Sequence, residues 1–167
     1  MVKIEDKLLD ELKTKFKVEG YVQKERRVWV SIDSKELLKI CKQLKDSGFH
    51  HLSAMSVTDW IKEKKYEITY HLWSYKEKIL ITLKTKISRK SPTIESVSKI
   101  WNENAQIHER ELHELFGVKF KGNNDLSPLF LENWKGLPPF RKDFDWREYV
   151  KDKYYDKKND REKVYYD

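Results

Sequence analysis

A single cysteine, Cys41, excludes an intrachain disulfide, a cysteine-based zinc site and a protein-ligated iron–sulfur cluster within this chain. Any redox chemistry it serves must borrow cofactors from a partner. The five glycines, at positions 20, 48, 117, 122 and 136, are too scattered to cradle a phosphate chain, and no GxxxxGK[ST], GxGxxG or GxSxG pattern occurs. No apolar run approaches the ~20 residues that span a bilayer. The opening MVKIEDKLLDELKTKF carries acids where a signal peptide has an apolar core, so the chain reads as soluble and cytoplasmic with no direct membrane span. Arginine is scarce: 7 of the 35 basic residues, the rest being lysine. Bidentate recognition of phosphate and guanine leans on arginine, and the two charge signs are interleaved throughout. A basic nucleic-acid-binding module is therefore a remote alternative despite the net charge of +7. Abundant Lys and Glu with little Gln is the surface chemistry of proteins that work hot, which predicts a thermophilic source.

What is present suffices for one compact domain: 167 residues, 38% hydrophobic and 13% aromatic. Leu8, Leu9, Leu12 and Phe16 lie at helical spacing over residues 5–17. From Tyr21 to Ile32 the alternation of Val28, Val30 and Ile32 with Trp29 and Ser31 predicts a strand. Asp33 and Glu36 form a capping-box pattern that opens a helix bearing Leu37, Leu38, Cys41 and Leu44, and Gly48 is placed to end it. Strands are predicted over 51–58, 66–73 and 78–86, joined by connections short enough for antiparallel pairing. Ser91 and Pro92 suggest a helix start, with Ile94, Val97, Ile100 and Trp101 on one face, and a further helix over 104–116 stops at Gly117.

The expected fold is α+β, a two-layer sandwich of a mostly antiparallel four-stranded sheet with helices over residues 1–120. Residues 121–145 read as an extended docking segment, broken by Gly122, Pro128, Gly136, Pro138 and Pro139 yet rich in apolar side chains. Residues 146–167 hold five of the nine tyrosines, many charges and no Leu or Ile, a tail without its own core that is either solvated or laid along another subunit.

The run His108-Glu109-Arg110-Glu111-Leu112-His113 has the wrong spacing for a zinc-protease helix. His113 lies five residues after His108 rather than four, rotated by roughly 140° around the helix. His50-His51 has no partner motif and fits a strand edge. With no nucleophile, metal or phosphate pattern, a stand-alone enzyme is not expected. The density of charge in Glu109-Arg110-Glu111 and Glu114, immediately before Leu115-Phe116-Gly117, has two readings. One is a surface helix with an Arg110–Glu114 ion pair worth ~0.3–0.5 kcal/mol. The other is a buried interface locked by charge-assisted bonds, whose charges can be reversed without harm to the isolated fold.

The run ERELHELFGVKF, Glu109 to Phe120, closely resembles the ERE-x-x-D/E-L-F-G-I-x-F signature of the respiratory complex I 30 kDa subunit family, the C-type subunit of NADH:quinone oxidoreductase. Trp134-Lys135-Gly136-Leu137-Pro138-Pro139-Phe140-Arg141-Lys142-Asp143-Phe144 is similar to that family's W-x-G-x-P-L-R-K-D-F close. The resemblance covers about residues 20–145. Residue by residue, Glu109, Arg110, Glu111, Glu114, Leu115, Phe116 and Gly117 match the first motif, and Pro139, Arg141, Lys142, Asp143 and Phe144 the second. It implies a subunit-interface role for these residues and no cofactor in this chain. The partners it implies are a large hydrogenase-like subunit, equivalent to the D-type subunit of complex I, and a small cluster-bearing subunit. A NiFe centre, iron–sulfur clusters or both belong to those partners, at the cytoplasmic face of the membrane.

Between the motifs the quinone enzymes carry His-Pro-x-Leu-Arg-Arg, where this chain has Asn123-Asn124-Asp125-Leu126-Ser127-Pro128. One extra residue also precedes the closing proline. The resemblance therefore points to the branch of archaeal membrane-bound group 4 [NiFe] hydrogenases, moving electrons from ferredoxin to protons with ion pumping. A NADH- or ferredoxin-dependent, quinone- or sulfur-reducing complex I relative is the alternative.

Overall fold

The computed structural model describes residues 3–155. A five-stranded sheet in the order β1-β2-β5-β4-β3 forms one layer. Its strands are β1 (Glu19–Lys24), β2 (Arg27–Ile32), β3 (His51–Trp60), β4 (Lys65–Ser74) and β5 (Ile79–Ser88). Within this sheet only the β2–β5 pair is parallel, so the expected mostly antiparallel sandwich is present. Its sheet has five strands rather than four because the predicted strand 21–32 folds back on itself. Lys24 pairs with Arg27, and Glu25-Arg26 is a two-residue turn with Arg26 in the left-handed region at φ 60°. Neither residue carries the Gly or Asn signal that marks such a turn.

Strand alternation decides which face is covered. On β4, Tyr66, Ile68, Tyr70 and Leu72 are fully buried, whereas Glu67, His71 and Trp73 are half-buried on the opposite face. The inner row shares one core with Leu9 and Leu12 of α1 (Ile4–Phe16), Leu37, Ile40, Cys41 and Leu44 of α2 (Leu37–Asp46), and Ala105 and Leu112 of α3 (Ser98–Phe116). Burial pushes the Cys41 thiol far above its usual value, in keeping with an inert core residue. Gly20 lets α1 lie close on the sheet, since a Cβ there would stand 2.9 Å from Leu9 Cδ1 of α1, and 2.6 Å from the Trp29 carbonyl oxygen of β2. Among the described residues no helix is long and apolar enough to cross a membrane.

Two local expectations differ. Asp33 does cap, accepting the Lys35 N–H at 2.9 Å, but Glu36 turns to Lys39 at 3.1 Å and a 3₁₀ turn, Ser34–Glu36, precedes α2. Pro92 does not start a helix. It leads into β6 (Thr93–Glu95), which pairs in parallel with β7 (Lys119–Lys121), and its carbonyl accepts the Lys119 N–H at 2.7 Å. Pairing with a segment 26 residues onward overrides the local helix signal. The helix therefore begins only at Ser98 and kinks at Trp101-Asn102, where Trp101 donates its indole N–H to the Phe49 carbonyl at 3.0 Å.

Asn102 adopts φ 45°, ψ −127°, a conformation costly for a residue with a Cβ. Asn102→Gly is expected to stabilise the chain by about 0.5–1 kcal/mol. Chemical denaturation measures this, and an unchanged or lower midpoint would show that the strain at the kink does not exceed the backbone entropy that glycine adds to the unfolded chain.

Candidate functional site

Beyond β7 the chain runs as an irregular strap, residues 122–145, across the end of α3, and both sequence motifs serve to hold it. Glu109 lies on the same helical stripe as the buried Ala105 and Leu112, so its carboxylate points inward and is fully buried. It accepts hydrogen bonds from Ser96 Oγ at 2.7 Å, the Val97 N–H at 2.8 Å and Asn123 Nδ2 at 2.8 Å. One side chain thus ties the link before α3 to the start of the strap. Burial pushes its pKa up, and the three donors only partly offset this.

Arg110 and Glu114 do not pair with each other among the described residues, in contrast to the ion pair expected from their spacing. Both reach into the strap. Arg110 donates to the carbonyls of Ser127 and Pro128, each at 3.0 Å, and Glu114 accepts the N–H groups of Leu129, Phe130 and Leu131 at 3.1, 2.9 and 2.7 Å. Burial alone would raise the Glu114 pKa, but those three N–H groups and the Arg110 charge hold it below its ordinary value. Glu111 faces outward, 3.8 Å from His108 Nδ1, and holds no part of the strap. His113 donates Nδ1–H to the Val118 carbonyl at 2.8 Å, and no metal-capable group of three or more His, Cys, Asp and Glu exists among the described residues.

The second motif closes on the same helix end. The Leu115 carbonyl accepts the Phe140 N–H at 3.0 Å, and Phe116 packs edge-on against both Tyr66 and Phe140. Gly117 ends α3 at φ 78°, and a Cβ there would also press on Pro138 at 3.0 Å, so glycine is favoured on both counts. Pro139 is half-buried beside this junction.

Residues 141–143 then fasten to the sheet through two residues that the motifs do not contain. Arg89, just past β5, donates Nε and Nη2 to Asp59 at 2.7 and 3.0 Å and Nη1 and Nη2 to Asp143 at 3.1 and 2.7 Å. Arg141 makes its own fork to Asp143 at 2.9 and 2.7 Å, and the Lys142 N–H donates to Asp59 at 3.0 Å. Arg141 and then Arg89 hold the Asp143 carboxyl well below the usual range. Phe144 joins Trp134 and Tyr149 in an aromatic cluster with centroids 4.9–5.6 Å apart, which ties α4 (Trp146–Val150) and with it the start of the tail to the strap. The tail beyond residue 155 lies outside the described residues.

Sequence reasoning missed Asp59, Arg89 and Asn123. The one available hint was that Arg89 is a rare arginine in a chain that elsewhere uses lysine.

The architecture is thus a two-layer α+β domain whose last long helix carries a strap. The sequence matches the family described as respiratory-chain NADH dehydrogenase, 30 Kd subunit, over residues 30–150. The chain belongs to this family of subunits of complex I-like oxidoreductases. It is 35% identical over 130 residues to the C subunit of F(420)H(2) dehydrogenase from Methanosarcina mazei, covering 76% of this chain and 81% of that one. It is 30% identical over 119 residues to the C subunit of NADH-quinone oxidoreductase from Roseiflexus castenholzii, covering 68% and 67%. A chain in the structure of the membrane-bound sulfane sulfur reductase, an archaeal respiratory membrane complex, superposes with TM-score 0.83 at 32% identity over 92% of both chains. A trypsin-resistant fragment of Nqo5 shares the fold alone, at TM-score 0.64 and 21% identity over 72% of this chain and 98% of that one.

Proposed function

We propose that this chain is a docking subunit without a cofactor of its own, in the peripheral arm of a membrane-bound energy-converting oxidoreductase on the cytoplasmic face of the membrane. It seats on a large hydrogenase-like subunit beside a small cluster-bearing one, and the metal centres of electron transfer belong to those partners. The observation that carries this reading is the outward side of the strap and the helix after it. Phe130, Leu137, Phe140 and Trp146 are 63, 47, 59 and 61% exposed although the strap's backbone is tied down from behind by Glu109, Arg110, Glu114 and Arg89. Large apolar side chains held rigidly in water are the mark of an interface awaiting its partner. A cleft of about 600 Å³ beneath the strap, bordered by His113, Leu131 and Trp134, offers a seat for a partner side chain.

The likeness to a sulfane sulfur reductase chain over nearly the whole length favours the sulfur-reducing alternative over the group 4 [NiFe] hydrogenase branch that Asn123–Pro128 suggested. Tagging the protein in its host and purifying it from detergent-solubilised membranes tests both levels. Partner subunits carrying iron without nickel are expected. Nickel together with iron would move the chain to the hydrogenase branch, flavin with iron would favour an NADH-type input, and recovery of the chain alone would overturn the docking reading. Phe130→Asp is expected to lower the yield of intact complex while leaving the chain's stability within about 0.5 kcal/mol, as for surface changes generally. Unchanged assembly in that variant would remove the strap from the interface.

A further inference from the structure

The end of the sheet opposite the strap carries a second constellation. β4 and β5 are antiparallel, so their Tyr66–Ile87 end meets the Asp59–Arg89 clamp and their Trp73–Leu80 end lies roughly 23 Å away at ~3.3 Å per residue. There the Glu25-Arg26 turn and the turn between β4 and β5 stand side by side. The reason is that β2 and β5 are parallel neighbours, with Arg27 opposite Leu80 and the Leu80 N–H donated to the Arg26 carbonyl at 2.9 Å.

Register places Arg27, Leu80, Trp73 and His51 in one cross-strand row on the sheet face away from the helices. Tyr75, 67% exposed, closes the row by packing edge-on against Trp73 and beside His51. The result is a cleft of about 350 Å³ with a floor of Trp73 and Leu80 and a rim of Arg26, Arg27 and Lys78 that Glu25 interrupts.

The rim is positively charged and under-compensated. Five cations, Lys24, Arg26, Arg27, Lys76 and Lys78, stand with two surface carboxylates, Glu25 and Glu77, and a third, the buried Glu5, accepts the Arg26 N–H at 3.4 Å. Each surface carboxylate stands beside its chain neighbour, Arg26 at 4.0 Å and Lys76 at 3.7 Å. Among the described residues Lys24, Arg27 and Lys78 have no carboxylate within 4.0 Å. Arg26 and Lys78 moreover sit at φ 60° and 53°, positions where glycine or asparagine would rest with less strain, so two of the three rim cations occupy costly turn sites.

We infer that this cleft is a second docking site, for an acidic segment of a neighbouring protein subunit that places an aromatic or long aliphatic side chain on Trp73 and Leu80. Carboxylates flanking that side chain meet Lys24, Arg27 and Lys78 one by one, giving the site its register. A nucleic acid fits less well, because its charge repeats at every nucleotide and so meets Glu25 and Glu77 as well as the cations, whereas a protein segment can place its carboxylates only opposite the cations. The inference rests on the reading of the chain as a complex subunit and adds an interface remote from the strap.

Carbodiimide coupling, which joins amines to carboxylates already in ionic contact, tests it on the complex purified from membranes. Lys24 or Lys78 is expected to link to an Asp or Glu of another subunit, identified by mass spectrometry of the digested product. The yield should fall about ten-fold when Arg27 is reversed to glutamate, and fall likewise in a salt series on the unaltered complex. An intact complex in which both lysines stay unlinked, or link only within this chain, overturns the cleft while leaving the docking reading standing. Links that persist unchanged in Arg27→Glu and in high salt overturn its charge-based recognition. Ultraviolet coupling of the Trp73 peptide to RNA in the same material would assign the cleft to nucleic acid instead. Recovery of the chain without partners removes the underlying reading and this inference with it.

Discussion

Replacing Arg89 with methionine is expected to destabilise the chain by about 3–5 kcal/mol and to free the closing motif from the sheet. Methionine keeps much of the stem's packing but removes every donor. The Asp59 side chain, 2% exposed, is then left with the Lys142 N–H as its one remaining partner in the clamp. An uncompensated buried carboxylate is the costly species here, and the 12% exposure of the Arg89 side chain means that solvent screens little of the loss. Asp143 suffers less, because Arg141 still holds it in a two-bond fork. The double variant Asp59→Asn, Arg89→Met should therefore lose less than the sum of the two single variants. Chemical denaturation supplies the energies, and limited proteolysis within residues 139–144 reports the freed strap. A loss below about 1 kcal/mol in Arg89→Met would mean that the clamp is ornamental.

The same clamp fixes how the chain responds to acid. Burial pushes the Asp59 carboxyl up, but hydrogen bonds from Arg89 and the Lys142 N–H outweigh it, and the folded pKa lies below the ordinary value. Asp143 is depressed further by Arg141 and Arg89. Groups with depressed folded pKa values contribute stability that is complete above the ordinary carboxylate range, near pH 4, and that is lost as pH falls through the depressed values. Arg89→Met should flatten that acid limb, which a denaturation series from pH 7 downward resolves.

What could be read from sequence was local or periodic. The two-residue period of Val28, Val30 and Ile32 against Trp29 and Ser31 gave the correct inward row of β2, and Gly117 marked the end of α3 because a left-handed stop favours glycine. The motif residues were found as a set, but their task was not. Arg110 and Glu114 sit at a spacing that suggests a helical ion pair, yet unpaired backbone groups of the strap outcompete that pair: Ser127 and Pro128 carbonyls for one, three consecutive N–H groups for the other. The clamp was invisible for a different reason. Asp59 and Arg89 are 30 residues apart and Arg89 and Asp143 are 54 apart, so no periodicity or turn chemistry connects them. Pro92 failed as a helix signal because its carbonyl is claimed by Lys119 across the β6–β7 pair.

Glu109 separates a folding role from a docking role for the ERE run. A pure interface role would let its charge be reversed without harm to the fold. Its complete burial predicts the opposite: Glu109→Leu should cost about 3 kcal/mol or more by stranding Ser96 Oγ, the Val97 N–H and Asn123 Nδ2 without an acceptor. Glu111→Lys, on a half-exposed side chain, should stay within about 0.5 kcal/mol and is the cleaner probe of any partner surface. The pH dependence of Glu109 runs against that of the clamp. Burial raises its folded pKa, so its contribution is complete below the unfolded value near pH 4.3 and is lost as pH rises through the raised one. Glu109→Gln cannot ionise, and the gap between it and the unaltered chain should therefore narrow as pH climbs through that window. A gap that widens over the same range would place the charged form, rather than the protonated one, at the centre of the Ser96–Val97–Asn123 junction. A Glu109→Leu chain as stable as the original would move the anchoring of the strap entirely onto Arg110, Glu114 and the Arg89 clamp.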